Sequence, residues 1–110
     1  MAARATAALA GDDELLISDL VVAECIYVLE FFYEVERARV AELMRSAIAL
    51  GSVTVVDAAL LLRSLEIYET EPIDFVEGYL VAGAEATGVG SIVSFDRSID
   101  RVESVSRHEP

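Results

Sequence analysis

Three carboxylates, Asp74, Glu77 and Asp96, are the residues with the clearest potential for chemistry. The first two open a predicted helix, and the third follows a short apolar strand predicted at Ser91–Ser94. In a parallel α/β sheet, ligands bind at the carboxyl ends of the strands. Because the chain contains no lysine, three acids converging at that edge indicate a divalent metal site rather than a purely organic one.

Each of these acids also has a purely structural interpretation. An Asp at the N-cap of a helix, followed three residues later by Glu, forms a capping box in which each side chain binds a backbone N–H of the other residue. From spacing alone this is the better prediction, although Asp74 can cap the helix while Glu77 faces the strand ends. Asp96 can likewise cap a short helix that begins at Arg97.

A further carboxylate, Glu24, interrupts a helix predicted from Asp19 to about Phe32 that is apolar on nearly every face. A buried carboxylate must be paired, protonated or metal-bound, because an unpaired buried charge is costly. The alternative is that Glu24 points outward through a narrow polar stripe with Tyr27 or Glu30. The residue pattern leaves both interpretations open.

The elements that must position these acids alternate between strands and helices. Short apolar strands are predicted at Leu15–Ile17, Val53–Val56, Ser91–Ser94 and Val102–Ser106. Helices are predicted at Ala3–Ala10, Asp19–Phe32, Glu36–Leu50 and Ala58–Tyr68, and one more opens at Asp74 and ends at Gly88. This alternation predicts an α/β fold with a parallel sheet of about four short strands and helices on both faces. With 110 residues, the chain is expected to form one domain, residues 1–110.

Composition excludes several classes of protein. The net charge of −12 repels nucleic-acid backbones, so a nucleic-acid substrate needs bound cations or a local arginine patch. The single Cys25 allows neither an internal disulfide nor a thiolate metal cluster. No stretch has the roughly 18 uncharged apolar residues of a membrane span, and the N-terminal residues lack a leucine-rich leader. We therefore expect a cytoplasmic protein with no membrane partner.

The segments ISDLVVAE, IDFVEGYLVAGA and VSFDRSID carry Glu24, Glu77 and Asp96 in that order. With these segments, the chain resembles the PIN-domain family, in particular the virulence-associated (VapC-like) toxins of toxin–antitoxin pairs. The resemblance implies a three-layer α/β/α fold in which a quartet of acids binds Mg²⁺ or Mn²⁺ at the C-terminal edge of the sheet. By matching position, Glu24 is the second acid, Glu77 the third and Asp96 the fourth, with Asp74 as an accessory ligand.

The same resemblance implies a function. Family members of this type are metal-dependent endoribonucleases, and the implied partners are an RNA substrate, a cognate antitoxin protein and a second copy in a homodimer. Phosphodiester hydrolysis needs an activated water and a stabilised leaving oxyanion, and carboxylate-bound Mg²⁺ supplies both without histidine or lysine. Arg97 is a candidate phosphate contact.

Two features depart from the family pattern. Glu77 stands where the family usually has Asp, and it is followed by Gly78 rather than Ala. The family's central first strand, which ends in the first acid, has no counterpart here, and Asp12 and Asp13 do not replace it. We therefore expect Met1 to be an internal methionine of a longer reading frame, or the chain to be a truncated remnant. The second case gives an alternative function, a catalytically inactive module that only binds antitoxin or self-associates.

Overall fold

The structure is a computed structural model that describes residues 14–110, and these contain four α-helices, a 3₁₀ helix and four short strands. Helices α1 to α4 span Asp19–Phe31, Arg37–Ile48, Ala58–Thr70 and Phe75–Thr87, and the 3₁₀ helix spans Arg97–Arg101. Strands β1 to β4 span Leu15–Leu16, Val53–Thr54, Ser91–Val93 and Ser106–His108. The helix predicted at Ala3–Ala10 lies outside the described residues.

All strand pairing in the described residues is parallel. Strand β1 pairs with β2, and β3 pairs with β4, so that the strands form two sheets of two strands each. Leu15 is opposite Val53 in the first sheet, and Ile92 is opposite Arg107 in the second. Parallel pairs separated by helices confirm the predicted α/β fold.

The chain divides into two compact units, Met1–Ala58 and Ala59–Pro110. In the first unit α1 contacts α2, and each helix buries residues at helical spacing. The buried residues are Val22, Ile26, Val40, Ala41 and Met44. None of the helices in residues 14–110 is long and apolar enough to cross a membrane. A single domain over residues 1–110 stays a prediction.

Helix α1, which is apolar on nearly every face, was expected to be buried on most of them, and it is not. Val22 and Ile26 are its buried residues, whereas Leu20, Tyr27 and Phe31 are 77%, 56% and 66% exposed. Apolar composition shows that a helix is hydrophobic, but its burial depends on how many of its faces other elements cover. The prediction that α1 is buried on most faces was therefore wrong.

The second unit has a hydrophobic core to which α3, α4, β3 and the 3₁₀ helix all contribute. Its buried members are Ile67, Ile73, Val81, Ala82, Ala84, Ile92, Ile99 and Val102. Helix α4 ends at Gly88, which adopts a left-handed conformation with φ of +73°. Glycine accepts this conformation without a steric penalty, so the predicted end of this helix is confirmed.

The last strand lies further along the chain than predicted. Strand β4 is Ser106–His108 rather than Val102–Ser106. Val102 is apolar because it belongs to the core, with 7% exposure, and the residues after it form a turn. His108, predicted to lie in a frayed tail, is part of the strand, and its carbonyl oxygen accepts a hydrogen bond from the Ser94 N–H at 2.9 Å.

Gly78 lies where α4 passes close to α3. A Cβ atom at this position would be 3.2 Å from the carbonyl oxygen of Ser64 and 3.5 Å from the amide nitrogen of Tyr68. Both are backbone atoms, so they cannot rotate away as a side chain would. The absence of a side chain at Gly78 therefore permits the close approach of the two helices next to Glu77.

We expect Gly78→Ala to leave the protein less stable than Gly83→Ala, the matched substitution on the same helix. A Cβ at Gly83 meets nothing within 4 Å, so alanine there gains about 0.5–1 kcal/mol of helix stability. At Gly78, overpacking that costs about 1–3 kcal/mol offsets or exceeds this gain. Urea unfolding measures the difference, and equal stabilisation by the two substitutions would contradict a tight helix contact at Gly78.

Candidate metal centre

The second unit brings three of the predicted site residues together. One carboxylate oxygen from each of Asp74, Glu77 and Asp96 lies within 4.8 Å of the other two. Asp74 immediately precedes α4, Glu77 lies in the first turn of that helix, and Asp96 lies between β3 and the 3₁₀ helix. We call these residues the acidic cluster. Its place beyond the carboxyl end of β3 is where ligands bind in parallel α/β sheets.

Asp74 does not form the cap that its spacing from Glu77 predicts. It occupies the N-cap position of α4 with extended backbone angles, φ −71° and ψ 162°, but its side chain makes no capping hydrogen bond. The capping box is therefore absent from this helix. An unused N-cap side chain forgoes about 1 kcal/mol of helix stability. The Asp74 carboxylate lies in the acidic cluster instead.

Glu77 is strained electrostatically by its position. Burial raises the pKa of Glu77, and the negative charges of Asp96 and Asp74 raise it further. Neighbouring carboxylates disfavour each other's ionised form. The acidic cluster therefore costs free energy as a group of bare anions. A divalent cation bound between the three carboxylates would replace their mutual repulsion by attraction to the cation.

Asp96 is held in a defined orientation by hydrogen bonds on both sides. Its Oδ1 accepts from the Ser98 N–H at 2.8 Å and so caps the 3₁₀ helix. Its own N–H donates to the hydroxyl oxygen of Ser94 at 3.1 Å. The Ser98 hydroxyl and N–H lower the pKa of Asp96, and the charges of Arg107 and Arg101 lower it further. Asp96 therefore caps the 3₁₀ helix while its side chain lies in the acidic cluster.

Ser94 is a site residue that the sequence reasoning missed. It ends the segment predicted as the third strand. The available signal was a hydroxyl residue two positions before Asp96 at the end of an apolar strand. Ser and Asp side chains at such positions bind nearby backbone N–H groups.

The two remaining predicted site residues are both exposed. Glu24 lies on α1 in the first unit, with its side chain at the surface. The Arg97 side chain is 84% exposed, and its Nε lies 3.9 Å from Oε1 of Glu109. The role of Glu24 as second acid and that of Arg97 as phosphate contact stay predictions.

The donor set of the acidic cluster fits a hard divalent cation. Mg²⁺ binds oxygen at about 2.1 Å, so ligands on opposite sides of the ion lie about 4.2 Å apart. The three oxygens of the acidic cluster lie within 4.8 Å of one another, which is the scale of such a coordination shell. Because the cluster contains neither histidine nor cysteine, it suits Mg²⁺ or Mn²⁺ better than Zn²⁺.

Comparison with known proteins gives a match at the level of a family. The family model of the PIN domain matches residues 1–105. Searches among curated proteins and among solved structures return no significant match. The match covers most of the chain, including all three residues of the acidic cluster.

Proposed function

Because the chain belongs to the PIN-domain family, we propose that it is a Mg²⁺- or Mn²⁺-dependent endoribonuclease. The observation that carries this proposal is the acidic cluster. Asp74 gives up a helix cap, and burial together with the charges of Asp96 and Asp74 raises the pKa of Glu77. A fold tolerates such local costs where function requires them, and a bound cation explains both.

The proposed site gives a role to each of the predicted site residues. Asp74, Glu77 and Asp96 would hold the cation, with Glu24 as the fourth ligand that the family resemblance implies. The bound cation would supply an activated water and stabilise the leaving oxyanion of the RNA. Asp96 stays ionised at neutral pH because its hydrogen bonds favour the carboxylate. Arg97, exposed beside Asp96, would bind a phosphate of an RNA that the net charge otherwise repels.

The proposal also includes a biological setting, which rests on the family resemblance. The resemblance to VapC-like toxins supports a cytoplasmic toxin that forms a homodimer and is neutralised by a cognate antitoxin. The acidic cluster suits an inhibitor with a basic group, because a cationic side chain would relieve the same repulsion as a metal ion. Co-purification with the product of a neighbouring reading frame would test this part.

RNA cleavage tests the enzymatic part of the proposal. We expect the purified chain to cleave RNA with Mg²⁺ or Mn²⁺ and not with EDTA, and we expect Asp96→Asn to remove the activity. Cleavage that survives Asp96→Asn comes from a contaminant and would defeat the proposal. Metal binding without any cleavage would favour the alternative, an inactive module that binds antitoxin or a second copy.

Glu24→Gln tests whether the exposed acid of α1 is a ligand. If Glu24 binds the cation, we expect the substitution to weaken Mn²⁺ binding by about tenfold or more, as loss of a supporting group does at other metal sites. Isothermal titration of wild type and variant measures the change. An unchanged dissociation constant would remove Glu24 from the site while leaving the acidic cluster in place.

A further inference from the structure

Arg107 of β4 is nearly buried although its guanidinium is charged. Its side chain is 10% exposed, whereas that of Arg97 is 84% exposed. A charged group with so little contact to water must be satisfied by hydrogen bonds, because an unpaired buried charge is costly. The partners of Arg107 therefore show what this residue holds in place.

The guanidinium binds chain segments on both sides of Asp96. Nη1 donates to the carbonyl oxygen of Ser94 at 3.1 Å, just after β3. Nε and Nη2 donate to the two carboxylate oxygens of Asp100, at 3.0 and 3.2 Å, a bidentate arrangement that fixes geometry as well as charge. Nη1 also donates to Glu109 at 3.2 Å.

These contacts close a ring of hydrogen bonds that contains Asp96. The Asp96 N–H donates to the Ser94 hydroxyl, and Asp96 Oδ1 accepts from the Ser98 N–H. Asp100 lies on the 3₁₀ helix that Asp96 caps, and Arg107 connects Asp100 back to Ser94. One side chain thus ties together the backbone that precedes Asp96 and the helix that follows it.

We infer that Arg107 is a positioning residue for the metal-binding carboxylate of Asp96. The inference rests on the proposed function, in which the carboxylate of Asp96 binds the cation. Arg107 acts through Ser94 and Asp100 and is not itself a ligand. Outer hydrogen bonds that orient metal ligands typically change metal affinity about 10–100-fold.

A variant of Arg101 distinguishes a positioning effect of Arg107 from a general effect of positive charge near Asp96. The positive charges of Arg107 and Arg101 both favour the ionised form of Asp96, so that replacing either one removes one such charge. Arg107 in addition binds the Ser94 carbonyl and both oxygens of Asp100. Arg101→Gln is therefore the matched control for Arg107→Gln.

Mn²⁺ titration of the full chain tests the inference. We expect Arg107→Gln to weaken Mn²⁺ binding about 10–100-fold. Arg107→Lys should restore little of it, because an ammonium group cannot reproduce the bidentate fork. Arg101→Gln should change the affinity less than about threefold, since an exposed charge is screened by salt. Equal losses in both Gln variants, full restoration by Lys, or an unchanged affinity in Arg107→Gln would each overturn the inference.

Amide hydrogen exchange without metal supplies a second and independent readout. We expect the Asp96 and Ser98 amides to exchange at least about tenfold faster in Arg107→Gln than in Arg101→Gln, because the local structure opens more readily. Equal exchange rates in the two variants would overturn the positioning role. A wild-type chain that binds no Mn²⁺ would instead overturn the proposed function, and exchange would still decide whether Arg107 holds Asp96.

Ser94→Ala tests the same ring if Arg107→Gln does not fold. This substitution removes the hydroxyl that accepts from the Asp96 N–H and leaves every charge unchanged. We expect weaker Mn²⁺ binding, in the same direction as for Arg107→Gln, and faster exchange of the Asp96 amide. Wild-type affinity together with wild-type exchange would show that the ring does not position Asp96.

Discussion

Replacing Glu77 by Gln or Asp96 by Asn is expected to weaken Mn²⁺ binding about a hundredfold or more. Loss of a residue that only hydrogen-bonds to a metal ligand weakens metal binding by up to about a hundredfold, and loss of a ligand itself should cost at least as much. Each substitution keeps the shape of the side chain but removes a charged oxygen ligand from the acidic cluster. Hard divalent cations bind carboxylates in preference to neutral amides because most of their binding energy is electrostatic. Isothermal titration of the purified variants measures the dissociation constants.

Glu103→Gln is the control for the change in net charge. Glu103 lies exposed in the turn before β4 and is not one of the three clustered acids. We expect this variant to bind Mn²⁺ with nearly the affinity of the wild type. If all three variants lose affinity equally, the ion is held by the diffuse negative charge of the protein, and the acidic cluster is not a specific site.

The metal-free protein is expected to lose stability as the pH rises through the raised pKa of Glu77. A carboxyl group whose pKa is higher in the folded than in the unfolded state keeps its proton longer when folded. Its contribution to stability is therefore present below the unfolded pKa and is lost as the group ionises in the fold. Glu77→Gln should remove this loss and stabilise the metal-free protein at pH 7.

Asp96 is expected to act in the opposite direction. Its pKa is lowered in the fold, so its contribution to stability is present above the unfolded pKa and is lost as the pH falls through the folded pKa. Asp96→Asn should therefore destabilise the metal-free protein at pH 7, where Glu77→Gln stabilises it. Both substitutions remove one negative charge, so only the local environments can give opposite signs.

Urea unfolding between pH 4 and 8 distinguishes these cases. The difference between wild type and Glu77→Gln isolates the titration of Glu77 from that of all other groups. We expect this difference to grow with pH without metal and to reverse with saturating Mn²⁺, because the cation stabilises the wild type that binds it. Parallel curves for the two proteins would contradict the electrostatic strain assigned to Glu77.

The conflict between stability and binding at Glu77 gives the acidic cluster its functional interpretation. Were Asp74 and Glu77 a structural capping box, the two side chains would stabilise α4 and neither would be strained. The structure instead leaves the Asp74 side chain without a capping hydrogen bond and raises the pKa of Glu77. Substitutions that improve stability while abolishing function are characteristic of such sites.

Local rules were enough to predict much of the fold. Alternating short apolar strands and helices indicated a parallel α/β chain because each pattern has its own period. Gly88 marked the end of α4 because a left-handed residue at a helix end favours glycine. Asp96 stood out because an acid just after a strand lies at the sheet edge where ligands bind. Each of these inferences depends on neighbours in the sequence.

Other features depend on neighbours in space, and here the sequence predictions failed or were silent. The burial of α1 was overestimated because composition does not say which faces a second helix covers. Val102 was assigned to a strand because an apolar residue in a core turn looks the same in sequence. No pattern in the sequence pointed to Arg107, because its partners Ser94 and Asp100 lie in other parts of the fold.

The acids of the candidate site could thus be identified from the sequence alone, because they are carboxylates at the start of one helix and just after the end of one strand. The tertiary structure decided what those carboxylates do. Whether Asp74 caps α4 or joins Glu77 and Asp96 depends on a side-chain rotation that costs little locally. The packing of β3 against α4 brings the three charges together, and burial, together with the charges of Asp96 and Asp74, raises the pKa of Glu77.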